Sequence, residues 1–307
     1  MSRVVAITSC EYLSASGGLL RLRQAGIERT LPLADIGALL IDAPALVVSA
    51  AAFGQLGRAG VPVVLADAGH APSLVLLPAT HQQAARRRQL AQAHLARERA
   101  WGAWRAILDA KLAMQAALLA LRGQGADAHR IDRLRARIGA GNVEAMAARA
   151  YWRALLPEMP GRIKPGAQDA QNAALNYGYA VLRALVARHV VAAGLNPLFG
   201  MAHTNAKNPL PLVDDLIEPF RVAVDARVAA GLPDGDGMTP ARKAHVLGLL
   251  EVSFRIGGET CNVQRAVEMA VAGYASYVEG RRRTLVLPQA IRLPAPDSGH
   301  QGCGSCG

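Results

Sequence analysis

The chain has 307 residues, about half of them apolar, with 34 Lys and Arg against 23 Asp and Glu for a formal net charge of +11. That length supports two domains and a sizeable core, while no apolar run is long enough to cross a bilayer and the first twenty residues lack signal-peptide order, which points to a cytoplasmic protein without a membrane partner. Four scattered cysteines exclude a disulfide framework, and the arginine-dominated excess of charge favours a polyanionic partner, since each phosphate neutralised releases counterions.

From Arg3 to Leu77 the pattern is short. The stretches RVVAI, LLRLRQ, RTLPL, ALLIDA and PVVLADA, separated by Gly, Pro and Asp turn signals, predict strands. In LLRLR, Leu20 and Leu22 alternate with Arg21 and Arg23, so one face is apolar. One helix interrupts them, with Ser49 placed to cap its start and Gly60 to end it. Residues 1–77 therefore read as a small β-rich domain.

Beyond Pro78 the apolar positions recur at three- and four-residue intervals as far as SFRIGGETCNVQRAVEMAVAGYASYVEG, which predicts a larger all-α domain over 78–294. The fold class is α+β. Residues 295–307, rich in Gly and Pro, read as a disordered tail. His300, Cys303 and Cys306 there have ligand-like spacing, but one CxxC and one histidine are incomplete for structural zinc.

One long helix after the boundary carries Arg86, Arg87, Arg88, Arg97, Arg99 and Arg105. A second run holds Arg130, Arg133, Arg135 and Arg137, of which Arg130, Arg133 and Arg137 share a helix face that can follow a phosphate backbone or simply face water. Arg281, Arg282 and Arg283 form another patch with the same two readings.

The segment HTNAKNPLPLVDDLIEPFR, residues 203–221, concentrates one histidine, three carboxylates and three prolines. Helix capping accounts for one aspartate. Asp215 and Glu218, three apart, project from one face within a turn, where their repulsion calls for a cation. Pro219 cannot donate to the Asp215 carbonyl and predicts a bend. His203 adds one nitrogen to an oxygen-rich set that suits Mg²⁺ or Mn²⁺, although a single histidine, like Asp214, is more often an ordinary surface residue. Glu144, in GNVEAMAARAYW, has small alanine neighbours; composition alone favours a solvent-facing glutamate there.

Together, GNVEAMAARAYW, AQNAALNYGYAVLRALVARHVVAAGLNPLFGMAH and LVDDLIEPFRVAVD, in this order and behind the strand, helix and strand pattern of residues 38–78, resemble the CRISPR-associated endonuclease and integrase family of spacer acquisition, the Cas-one family, and its type II members in particular. The resemblance spans almost the whole chain. It implies catalytic metal ligands at Glu144, His203 and Glu218, an auxiliary acid at Asp215, and site support from Asn172, Asn176 and Tyr177, with Gly178 allowing close helix packing. The residue before the histidine is Ala202, where the type II pattern often has a second histidine.

It also implies a homodimer formed through the β domain, a Cas-two dimer as partner, and double-stranded DNA with 3′ ends and CRISPR repeat DNA as substrates. The chemistry is transesterification with Mg²⁺ or Mn²⁺, and hydrolysis by the same site. Two other readings of the residues stay open: a metal-dependent phosphohydrolase using His203 with Asp214 and Asp215, and a non-catalytic DNA-binding scaffold.

Overall fold

The computed structural model describes residues 3–66, 72–76, 78–79, 83–163, 169–202 and 208–294. In the N-terminal part the strands are β1 (Arg3–Ile7), β2 (Tyr12–Ser16), β3 (Leu19–Gln24), β4 (Ile27–Pro32), β5 (Ile36–Ile41), β6 (Val47–Val48), β7 (Val63–Ala66) and β8 (Pro72–Leu76), with helix α1 (Ala50–Arg58) before β7. They form two sheets, ordered β1-β5-β7-β8 and β4-β3-β2-β6. In the first sheet β1, β5 and β7 run parallel and β8 antiparallel.

Local sequence explains these elements. Ser49 Oγ accepts the Ala52 amide at 3.2 Å and starts α1. Gly60, at φ +71°, stops it, as the sequence predicts. Gly17 and Gly18, at φ +58° and +77°, supply the two positive-φ positions that a tight β2–β3 hairpin requires.

Every residue of β5 is buried, and its side chains divide by alternation. Leu39 and Ile41 enter a core with Leu13, Leu20 and Leu56, between the two N-terminal sheets and α1. Ala38 and Leu40 enter the core of the helices. The continuous apolar run ALLI is thus a strand covered on both faces. Just past it, Asp42 meets Lys243 of the helical part at 2.6 Å, with both side chains buried.

The helices are α2 (Gln83–Ala93), α3 (Arg97–Leu121), α4 (Gly125–Arg135), α5 (Val143–Leu155), α6 (Ala170–Ala192), α7 (Pro211–Leu216), α8 (Val222–Ala229), α9 (Pro240–Leu247) and α10 (Val263–Val278). The single long helix expected after residue 78 is two, because the chain extends at Ala96, at ψ 140°, and Leu95 packs on the core. At the centre runs α6, its first turn capped by Asp169, whose Oδ1 accepts the Asn172 amide at 2.8 Å. Gly178 on α6 is a close-approach point: a Cβ there would lie 2.4 Å from Val224 Cγ1 and 2.9 Å from Val246 Cγ1.

The α+β class holds, with one correction to the all-α reading of the larger part. Strands β9 (Ser253–Ile256), β10 (Glu259–Asn262) and β11 (Ala290–Arg292) form a small sheet, ordered β10-β9-β11. SFRI buries alternate residues, and Gly257 and Gly258, at φ +58° and +92°, turn the β9–β10 hairpin. A four-residue strand is too short to interrupt a helical periodicity judged over longer windows. No helix among the described residues is long and apolar enough to cross a membrane.

Candidate active site

Glu144 sits in the first turn of α5, where the partial positive charge of the helix N-terminus favours a carboxylate. The helix buries Val143, Ala147, Ala150 and Tyr151, leaving Glu144 on the flank with its side chain 45% exposed. Glu218 lies in the 3-10 turn Glu218–Phe220, between α7 and α8. The bend expected at Pro219 is present, since proline withholds the amide that would continue α7. Glu218 is buried.

These two glutamates, far apart in sequence, meet at Lys111 on α3. The Lys111 ammonium lies 2.7 Å from Glu144 Oε1 and 3.0 Å from Glu218 Oε2. Burial pulls the Lys111 pKa down, but the charges of Glu218 and Glu144 outweigh it and leave the ammonium held above its ordinary value. The other oxygen of Glu218, Oε1, is 3.0 Å from Arg221 Nε.

A cleft of about 590 Å³ opens beside this centre, and Lys111, Glu144, Arg149, Arg153, Arg162 and Arg221 all line it. Tyr179 forms part of its floor, with the Arg221 and Arg162 guanidinium groups 4.7 Å and 5.3 Å from its ring centre. Asn172 Oδ1 accepts from Arg162 Nη1 at 3.0 Å, and Asn176 Oδ1 accepts from Arg162 Nη2 at 2.7 Å. Beneath, Asp225 accepts hydrogen bonds from the Tyr179 hydroxyl and, at 2.8 Å, from the Tyr151 hydroxyl. Burial raises the Asp225 carboxyl to about 6 in spite of those two donors and the nearby arginines.

His203 lies outside the described residues, as does the tail with His300, Cys303 and Cys306. The chain that leads to His203 is held by Asp215, which is fully buried and whose Oδ2 accepts the amides of Met201 and, at 3.2 Å, Ala202. Asp215 does not line the cleft. Glu218 meets Lys111 and Arg221, while Asp215 accepts the backbone amides of Met201 and Ala202. Asp214 makes a bidentate pair with Arg183, Oδ1 to Nε at 2.7 Å and Oδ2 to Nη2 at 2.9 Å.

Of the proposed supporting residues, Asn172 and Asn176 reach the cleft through Arg162, whereas Tyr177 does not. Its ring faces Lys243, 6.0 Å from the ammonium, and burial raises its hydroxyl pKa. The tyrosine in the cleft is Tyr179, and helical periodicity carries the reason: Asn172, Asn176 and Tyr179 recur at intervals of four and three, while Tyr177 falls on another face.

The arginines singled out in the sequence lie elsewhere. Arg87 and Arg88 reach Glu279 at 3.1 Å and 3.4 Å, and Arg281 contacts the same carboxylate. Arg86, Arg130, Arg133, Arg137, Arg282 and Arg283 are exposed. None of these lines the cleft. Lys111, Arg149, Arg153, Arg162 and Arg221 escaped sequence reasoning because each is an isolated cation, not part of a run. Arg221, one helical turn after Glu218, carried the clearest signal.

Among the described residues no group of three His, Cys, Asp or Glu side chains stands ready to hold a metal ion. Two carboxylates converging on one ammonium do mark a place where positive charge is stabilised, and their hard oxygen donors suit Mg²⁺ or Mn²⁺.

A family model described as "CRISPR associated protein Cas1" matches residues 4–236. The CRISPR-associated endonuclease Cas1 of Neisseria meningitidis serogroup C is 29% identical over 298 residues, covering 95% of this chain and 97% of that protein. Among solved structures, a casposase bound to integration product superposes with a TM-score of 0.78 at 18% identity, over 93% of this chain and 92% of that one. A chain of a Cas6-RT-Cas1–Cas2 complex superposes with a TM-score of 0.73 at 16% identity, over 92% of this chain and 35% of that one.

Proposed function

The chain belongs to the Cas1 family of CRISPR-associated proteins, a DNA endonuclease and integrase family, and from that premise we propose that it is a metal-dependent enzyme of the type II kind that joins the 3′-OH ends of captured DNA to a CRISPR repeat array by transesterification. The observation that carries this reading is the meeting of Glu144 and Glu218 at a single cation beside an arginine-lined cleft.

Glu144 and Glu218, with His203, would hold Mg²⁺ or Mn²⁺. When bound, such an ion supplies activation of a hydroxyl nucleophile and stabilisation of the charge that grows on the leaving oxygen. The protein's own residues do the rest. Arg149 and Arg153, exposed on α5, bind the strand backbone. Arg162 and Arg221 present planar guanidinium groups over Tyr179, oriented by Asn172, Asn176 and Glu218, where they can pair with non-bridging phosphate oxygens. The incoming 3′ oxygen forms one P–O bond as another P–O bond breaks, and the proton lost by the attacking hydroxyl is returned to the departing 3′ oxygen through solvent. The number of phosphodiester bonds is unchanged and no nucleotide triphosphate is needed. Water in place of the hydroxyl gives hydrolysis.

The division into a dimerisation domain at 1–77 and a catalytic domain at 78–294 is part of this reading. The edge strand β4 is largely exposed, with Ile27 62% accessible, and suits pairing of two copies. The structural likeness to a chain of a Cas1–Cas2 assembly supports a Cas2 dimer as partner, and the likeness to a casposase bound to integration product supports double-stranded DNA with 3′ ends and repeat DNA as substrates. The site of action is then the cytoplasm, with the chromosome.

The phosphohydrolase reading is disfavoured by the Asp214 carboxylate, both of whose oxygens are taken up by Arg183. The test is incubation of the full chain with Mn²⁺, DNA bearing free 3′ ends and repeat DNA. Strand transfer that is lost in Glu144→Ala, with DNA binding retained, supports the integrase. Turnover of phosphate monoesters would instead support the phosphohydrolase, and binding without chemistry the scaffold.

A further inference from the structure

Lys111 has no place among the ligands of a metal, yet it sits where one belongs. Its ammonium touches Glu144 Oε1 at 2.7 Å and Glu218 Oε2 at 3.0 Å, and its side chain is 13% exposed. Two carboxylates gathered at one point repel unless a cation lies between them. Here that cation is Lys111, and Arg221 balances Oε1, the other oxygen of Glu218. An ammonium is a compact point charge on a flexible stem of single bonds, so it can withdraw without moving the helix that carries it. Arg221, by contrast, is placed over Tyr179 and bound to the oxygen of Glu218 that faces away from Lys111.

We propose that Lys111 is a built-in counter-cation that keeps Glu144 and Glu218 together in the metal-free protein and is displaced when a divalent ion loads. The inference rests on the metal-site reading above and adds a positioning residue to it. Because the ion and the ammonium compete for the same two oxygens, Lys111 lowers metal affinity and in exchange prevents the empty site from springing apart. Once displaced, the ammonium remains on the cleft wall, beside Arg149, Arg153 and Arg162, where a DNA phosphate is its natural anion.

The experiment is calorimetric titration of the full chain with MnCl₂ in the absence of DNA. Lys111→Met is expected to bind Mn²⁺ roughly tenfold or more tightly than the wild type, since an opposite charge in contact with a carboxylate shifts its equilibria by about a factor of ten or more. It is also expected to melt at a lower temperature in chelator, with the loss recovered on adding Mn²⁺. Lys111→Arg keeps the charge and should stay near wild-type affinity. Unchanged or weaker Mn²⁺ binding by a folded Lys111→Met overturns the proposal, as does tight binding by Lys111→Arg.

A second measurement uses the wild-type protein alone and does not depend on how a variant folds. Acetylation of Lys111 by acetic anhydride, read by mass spectrometry, should rise when Mn²⁺ frees the ammonium; labelling that stays level or falls rejects displacement. Glu144→Gln separates the two levels of the argument. If that variant binds Mn²⁺ like the wild type, the metal-site reading itself fails. If it loses Mn²⁺ while Lys111→Met is unaltered, only the counter-cation role fails.

Discussion

Asp215 accepts the backbone amide of Ala202 at 3.2 Å, one residue before His203. The Met201 amide is bound to the same carboxylate oxygen, and the absence of a side chain at Gly200 lets the loop approach, since a Cβ there would lie 3.1 Å from Asp215 Oδ2. Asp215 thereby anchors the chain through residue 202, immediately before His203.

Removing that anchor should matter to chemistry more than to folding as a whole. Asp215→Ala is expected to lower the strand-transfer rate roughly 10- to 100-fold, as the loss of groups that orient ligands does elsewhere. Asp215→Asn, which keeps an acceptor oxygen, should lose less. Hydrogen exchange at residues 201 and 202 should quicken in the alanine variant. A rate and an exchange pattern indistinguishable from wild type would remove Asp215 from any part in the site.

Asp225 makes stability depend on pH in an unusual direction for a carboxylate. Its folded pKa, about 6, stands above the ordinary 3.8. The native state therefore holds this proton more tightly than the unfolded chain, so the contribution is favourable at low pH and is lost as pH rises from about 3.8 to about 6. The loss is on the order of 3 kcal/mol. Asp225→Asn cannot titrate, so the stability of wild type relative to this variant should decline across that window and then level off. Urea unfolding of both proteins at several pH values reads the difference, and a constant difference would contradict it.

Gly178 allows α6 to approach α8 and α9. A methyl group there would stand 2.4 Å from Val224 Cγ1, well inside contact distance. Gly178→Ala should destabilise by about 1–3 kcal/mol through overpacking, despite alanine's better helix propensity. Adding Val224→Ala should recover part of the loss, because it removes the nearest atoms. Thermal melting of the single and double variants decides this, and a stabilised Gly178→Ala would show that the helices adjust freely.

DNA affinity should follow the cleft, not the arginine runs. Arg149→Ala and Arg153→Ala should each weaken binding and reduce the slope of log affinity against log salt by about 0.9, one phosphate's worth of counterion release. Arg130→Ala, on an exposed face away from the cleft, should leave both quantities unchanged. Fluorescence anisotropy over a salt series distinguishes the two groups, and equal effects from all three would return the interface to α4.

Glu144 and Glu218 were legible in the sequence as members of ordered motifs, and the structure brings their carboxylates to one nitrogen. The period-two run LLRLR, the cap at Ser49 and the break at Pro219 were legible too, because each depends on a few adjacent residues and on backbone geometry that travels with them. The hairpin at Gly257 and Gly258 was hidden within a longer helical rhythm, and its strand β9 also pairs with β11, distant in the chain.

What the sequence by itself determined is therefore the kinds of groups available and the local shapes that present them. Lys111 as the companion of the two glutamates, Tyr179 in place of Tyr177, and Arg162 held by Asn172 and Asn176 were decided only by the tertiary structure. Each follows from the packing of α3, α5 and α6 about the Glu218 turn. The physical reason is that charge interacts through space and not along the chain, so an isolated lysine or arginine has no identifiable partner until the helices are packed.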